Sequence, residues 1–172
     1  QAILLLIMVS FLQVIGSGLS KPPTTPPSVM AISNNVIPSG AIFGDVLELQ
    51  SFSGYIEIED NGATLQLWLN WKSNGQLEIP YYLSFITVKP NGETLKADLR
   101  QPFDSDYPTT CWLPDSDLIQ EYVEIPLAVD DVTGDWWVSL SLISRDAKTL
   151  QVEDINGLKD QQIGIGPFRV EN

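Results

Sequence analysis

Histidine is absent from all 172 residues. Its absence removes the commonest general base and metal ligand, imidazole ligation of haem, and every Ser-His or Cys-His nucleophile arrangement. Cysteine occurs once, at Cys111, so no internal disulfide and no cysteine-built zinc or iron–sulfur site can form. Cysteine usage therefore leaves the redox compartment open. Positive charge is scarce as well: 9 Lys and Arg stand against 22 Asp and Glu, a formal net charge of -13. A surface that acidic repels phosphate backbones, which argues against nucleic acid and anionic lipid headgroups as partners.

The first twenty residues, "QAILLLIMVSFLQVIGSGLS", carry no charge at all. Residues 2–19 as a helix would extend roughly 27 Å at about 1.5 Å per residue, close to the hydrocarbon thickness of a bilayer. Gln13 and a few serines do not make a polar face, so the expectation is a single transmembrane helix over residues 1–20, in contact with the lipid bilayer through residues 2–19. A signal-peptide core and a buried soluble helix are the competing readings. Two Pro pairs follow in "KPPTTPPS", a composition that favours polyproline geometry and predicts a semi-rigid spacer over residues 21–42. Lys21 is the only cation nearby, so charge specifies orientation weakly. The acidity and the Pro/Thr spacer favour the outer face.

From Val46 onward apolar residues recur with period two, as in "VLELQSF", "YIEIE", "TLQLWLNW", "YYLSFITV", "YVEIPLAV", "WWVSLSLI", "TLQVED" and "IGIGPFRV". These segments read as strands rich in branched and aromatic residues, most of them separated by turn signals such as Asn61-Gly62, Asn74-Gly75, Asn91-Gly92, Thr133-Gly134 and Asn156-Gly157. No comparable amphipathic helix is present. The predicted fold class is all-β, an antiparallel β-sandwich of immunoglobulin-like or jelly-roll-like type over residues 43–172, preceded by the N-terminal membrane helix. Trp68 and Trp71 are three apart, and Trp136 and Trp137 adjacent, so each pair faces both sides of its strand. At least two tryptophans should point away from the core.

A resemblance emerges from Leu65 onward. "LQLWLNW", "YYLSFITVKPNGETLKADLRQPF", "YPTTCWLPDSDLIQEYVEIPLAV", "GDWWVSLSLIS" and "IGPFRV" follow one another in order. Together they resemble a bacterial extracytoplasmic β-sandwich domain found at the C-terminal ends of dolichyl-phosphate-mannose-type membrane glycosyltransferase-like proteins. The match covers about Phe43 to Val170. Trp71 matches the family tryptophan, Tyr82 and Phe85 its Tyr and Phe, and Asn91-Gly92 its turn, while Asp98 and Pro102 fit a "D-x-x-P" pattern with one extra residue. Tyr107, Pro108, Thr109, Thr110, Trp112 and Pro114 match the most specific piece, "Y-P-T-S-x-W-x-P". The family His falls on or near Thr87, the Pro-Gly after the Trp has become Pro114-Asp115, and a later "G-L-Y" has become "SLISRD". The resemblance implies a fold and an address at the bacterial cell membrane, on the periplasmic or extracellular side; it implies no catalytic residue.

The chemical candidates are few. Cys111 has carboxylates nearby and no Lys or Arg within several positions, which raises rather than lowers a thiol pKa. The Asp-Ser-Asp triplets contribute Asp104, Asp106, Asp115 and Asp117, hard oxygen ligands that would suit calcium if the intervening loop brought them together. Aspartates flanking a Pro-containing loop are also ordinary turn formers. Asp-x-Asp is a nucleotide–metal motif in glycosyltransferases, but there it works in an α/β fold. With 22 acids, no hydrolytic carboxylate pair can be singled out. "IGIGPF" lacks the helix and Lys of a phosphate cradle and reads as a bulged final strand. Tyr107, Pro108 and Trp112 are expected to form a corner where the chain passes between sheet edges, Trp112 covering the core; Thr109 and Trp71 count with them as structural rather than chemical motif residues.

These readings predict no cofactor and no enzymatic activity. They describe a membrane-anchored accessory subunit of a larger membrane complex, of electron-transfer or transport type, with other membrane-protein subunits as its partners. The alternative is a sugar- or envelope-binding C-terminal module of a glycosyltransferase-like membrane protein.

Overall fold

The structure is a computed structural model that describes residues 36–59, 62–95, 97–114, 117–127 and 132–170. The expected membrane helix, residues 1–20, and most of the expected spacer lie outside the described residues. Among the described residues no helix is long and apolar enough to cross a membrane.

The described chain is all-β and forms two antiparallel sheets. Its strands are β1 (Ile37–Phe43), β2 (Leu47–Glu59), β3 (Gly62–Ser73), β4 (Tyr81–Val88), β5 (Asp98–Arg100), β6 (Ile119–Leu127), β7 (Trp136–Ser144), β8 (Val152–Glu153), β9 (Lys159–Asp160) and β10 (Ile163–Phe168). The larger sheet has the order β6-β3-β2-β1-β8-β9, and the smaller β10-β7-β4-β5. They meet as a sandwich because the period-two pattern gives each central strand one apolar side. On β3, Leu65, Leu67, Leu69 and Trp71 enter the core; on β7 Trp136, Val138, Leu140 and Leu142 do so from the opposite sheet. Register ties the larger sheet together through Leu67↔Val123 and Leu65↔Ile56.

The sandwich begins earlier than the expected boundary at Phe43, since β1 starts at Ile37, inside the stretch assigned to the spacer. Pro38 and Gly40 conceal this strand in the sequence. Gly40 takes φ 67°, a left-handed value, and the β1–β2 register shifts between Pro38 and Ala41. Pro38 lies outside the pairs that β1 makes with β8, where a missing N–H costs little. β10 carries the bulge expected in "IGIGPF", as a register shift between Ile165 and Phe168. The two sides of β3 and β7 also separate their tryptophans. Trp71 and Trp136 join the core, whereas Trp68 and Trp137 lie on the outer faces.

Candidate functional site

Residues 101–118 leave β5, at one edge of the smaller sheet, and enter β6, at one edge of the larger. This connection holds the "DYPTTCW" stretch. Tyr107 and Trp112 are completely buried. The Trp112 indole N–H donates to the Tyr107 carbonyl at 3.1 Å, and the Tyr107 hydroxyl donates to the Cys111 carbonyl at 3.0 Å. Burial pushes the Tyr107 phenol up from its ordinary pKa. The Trp112 ring lies 5.8 Å from that of Trp71, which in turn meets Phe43 edge-on at 5.4 Å. Buried Thr109 accepts the Tyr81 N–H on its hydroxyl at 2.9 Å, fastening the corner to the start of β4. Pro108 precedes the 3₁₀ turn Thr109–Cys111 with extended dihedrals. Tyr107, Thr109 and Trp112 spend their side-chain polar atoms within the fold, whereas the buried Trp71 indole N–H has no partner among the described residues. Cys111 is half-buried and unbridged.

Upstream of the corner the backbone is strained. Phe103 (φ 51°), Asp104 (φ 51°) and Ser105 (φ 80°) are three consecutive non-glycine residues in the left-handed region. Such residues persist only where surrounding structure holds them. Here the hold comes from Glu121 on β6, whose Oε1 accepts the Phe103 N–H at 2.8 Å.

Glu121 was not among the sequence candidates, although a signal was present. In "IQEYVEIPL" it shares the inward phase with Ile119, Val123, Ile125 and Leu127, so the strand carries a carboxylate into the core side. It is 2 % exposed, and its Oε2 has no hydrogen-bond partner among the described residues. Burial raises its pKa to about 7, and the neighbouring Asp104 charge adds to the rise; the Phe103 N–H and Arg100 pull the other way.

Around this carboxyl a cleft of about 130 Å³ opens between the β5 and β6 edges, lined by Arg100, Phe103, Asp104, Glu121, Tyr122 and Glu124. Arg100 spans it: one terminal nitrogen bonds the Asp98 carboxylate and donates to the Glu124 carbonyl at 2.8 Å. Its buried Nε–H has no partner among the described residues. Tyr122 belongs to an aromatic row on the outer face of the larger sheet, Tyr55 and Trp68 stacking at 5.8 Å and Trp68 meeting Tyr122 at 5.0 Å with the rings tilted by 38°. The row leaves Trp68 buried although it faces outward; Trp137, at 41 % exposure, is the tryptophan with open surface. The Tyr122 hydroxyl sits within reach of both the Gln66 side-chain carbonyl and, at 2.6 Å, the Glu124 carboxylate. Burial, with Glu124 beside it, drives this phenol far above its ordinary pKa.

Among the described residues the calcium candidates are not grouped into a metal site. Asp104 and Asp106 are exposed on the strained turn, Asp117 is exposed ahead of β6, and Asp115 lies outside the described residues. Among the described residues no three Asp, Glu or Cys side chains are grouped so as to hold a metal ion.

No family model and no curated protein matches the chain. One solved structure is similar in shape, that of a protein assigned as ApaA from Bordetella pertussis, at 11% identity over 76% of this chain and 92% of that one, with a TM-score of 0.39.

Proposed function

We propose that the chain is a non-catalytic, membrane-anchored accessory subunit of a larger bacterial membrane complex of electron-transfer or transport type. Its sandwich would pack on the complex's periplasmic or extracellular face. The observation that carries this reading is how the distinctive residues are used: Trp71, Trp112, Trp136 and Tyr107 all serve the core, and the "YPTTCW" corner serves the fold. Large apolar side chains remain exposed at Leu99, Leu113 and Leu118, on β5 and the corner after it, and at Ile155 and Leu158 between β8 and β9. Such side chains suit contact with another protein. Extraction of the membrane in a mild detergent followed by affinity isolation of the chain tests it. Stoichiometric co-isolation of other membrane subunits is expected; a monomer alone would overturn the proposal.

A second reading, a sugar- or envelope-binding module of a glycosyltransferase-like membrane protein, is favoured by the cleft at the β5 and β6 edges. There an aromatic ring, an arginine and carboxylates converge on open space. The resemblance to the extracytoplasmic sandwich domain supports the same reading.

A further inference from the structure

We propose that the outer face of the smaller sheet joins two copies of this chain, packed face to face about a two-fold axis. Its outward positions run in steps of two along 82–88 on β4 and 137–143 on β7, because the residues alternating with them are buried. Leu99 on β5 and Gly164 on β10 share the face through their register with Ser84 and Ser139. None of these residues is charged, in a chain whose formal net charge is -13. The outer face of the larger sheet differs, for Glu48, Glu57, Glu124 and Lys72 stand on it. A two-fold interface sets a surface against its own copy. Three carboxylates and one amine repel such a copy, whereas the uncharged face meets itself without that cost.

The relief of the face is self-complementary. Register sets Trp137 beside Val88 in one row across the strands, Ser139 beside Ile86 in the next, and Ser141 beside Ser84 in the third. The first row is large and the third small, with Ser84 and Ser141 sunk between their neighbours. The Trp137 ring, 41 % exposed, lies over Gly166, where a Cβ would stand 3.1 Å from it. A two-fold axis lying across the strands at the level of Ser139 and Ile86 places the large row of each copy on the small row of the other. That reciprocity commits the face to a second copy rather than to another protein. The smaller sheet is four strands wide and β4 is 8 residues long, a footprint of about 19 by 26 Å. Pairing would bury about 500 Å² on each copy and about 1,000 Å² in all, which reaches the size of a specific interface of the weak class. Tryptophan at such a contact supplies a large apolar area from a rigid side chain.

The test is sedimentation equilibrium of the full chain in a density-matched detergent, under reducing conditions because Cys111 is unbridged. A monomer–dimer equilibrium with a Kd on the order of 10 µM is expected. It should tighten as salt is raised, because salt screens the repulsion between two acidic copies. Trp137→Glu and Ser139→Glu each bring a carboxylate against the second copy and should weaken the dimer by about tenfold or more. Ser139→Glu keeps the question answerable even if Trp137→Glu does not fold. Gln120→Glu adds the same charge to the outer face of the larger sheet and should leave the dimer unchanged. A monomer at every concentration would overturn the proposal, and so would a dimer that salt dissociates. A dimer that survives both Trp137→Glu and Ser139→Glu would be held by another part of the chain and would overturn it as well. A monomer that loses a co-isolated subunit on Trp137→Glu would give the face to that subunit, overturning the second copy while the accessory-subunit reading stands.

Discussion

The rings of Trp71 and Trp112 lie 5.8 Å apart with their planes inclined at 47°, although the two residues come from a central strand and from a loop. Trp71 rises from the larger sheet, and Trp112 comes down on it from the connection that joins the two sheet edges. Both are completely buried. Replacing Trp112 with Ala would open a large cavity over Trp71 and leave the Tyr107 carbonyl without its indole donor. A loss of about 3–5 kcal/mol is expected from the cavity. Trp112→Phe keeps part of the volume and should lose less. Urea denaturation followed by tryptophan fluorescence measures both; a loss below about 1 kcal/mol for the Ala variant would show that the corner is not part of the core.

Thr109 offers a finer test of the corner. Its hydroxyl accepts the Tyr81 N–H at 2.9 Å at the point where β4 begins. Valine has nearly the same shape, fills the site, and accepts nothing, so Thr109→Val leaves a backbone donor unanswered. The cost expected for such an orphan is about 1–3 kcal/mol, with the effect confined to stability. Thr109→Ser keeps the acceptor and should recover most of it. Equal losses for Ser and Val would mean that the methyl group, not the hydrogen bond, is what matters.

Gly54 sits on the core side of β2 opposite Leu67. A Cβ there would stand 2.6 Å from the Gln66 carbonyl oxygen and about 3.0 Å from the Phe168 ring, which packs over it from β10. The nearest obstacle is backbone, and it cannot rotate away. Gly54→Ala should therefore destabilise by about 1–3 kcal/mol through overpacking, against the usual gain from replacing a glycine in a strand. A thermal midpoint equal to or above that of the parent would contradict the contact.

How far these features could be read in the sequence depends on their range. Strand positions followed from period two because the pattern is local: "TLQLWLNW" places Leu65, Leu67, Leu69 and Trp71 on one side whatever surrounds them. β1 was hidden because Pro38 and Gly40 imitate a spacer, and only pairing with β2 makes Ile37–Phe43 a strand. The spacing required one of Trp68 and Trp71 to face outward without saying which, and the burial of Trp68 on the outer side depends on Tyr55 and Tyr122, which come from two other strands. Glu121 escaped for a related reason. Its inward phase was legible in "IQEYVEIPL", whereas its meaning arises from the Phe103 N–H and the Arg100 side chain, both supplied by the far side of the β5 connection. Sequence periodicity reports the direction of a side chain, and only the fold decides what stands there to meet it.

That meeting makes Glu121 a source of pH-dependent stability. Its carboxyl is buried with one oxygen unpartnered, and its pKa rises from 4.5 to about 7. Between those values the folded chain holds a proton that the unfolded chain has released, so the native state binds more protons and stability falls as pH rises. The contribution is fully present below about 4.5 and is lost by the time pH passes about 7. At 1.36 kcal/mol per unit this amounts to about 3 kcal/mol across the window. The direction is opposite to that of an ordinary paired carboxylate such as Asp135, which Arg169 holds below its usual value and which destabilises on acidification. Urea denaturation at a series of pH values from 4 to 8, on the parent and on Glu121→Gln, isolates the effect, since the other acids are common to both. Glutamine keeps an acceptor for the Phe103 N–H and cannot ionise. The stability difference between variant and parent should therefore shift by about 3 kcal/mol in the variant's favour over that interval. Asp104→Asn, which removes a charge that helps raise the Glu121 pKa, should move the window toward lower pH. Parallel curves for parent and Glu121→Gln would mean that Glu121 titrates in its ordinary range and that water reaches it freely.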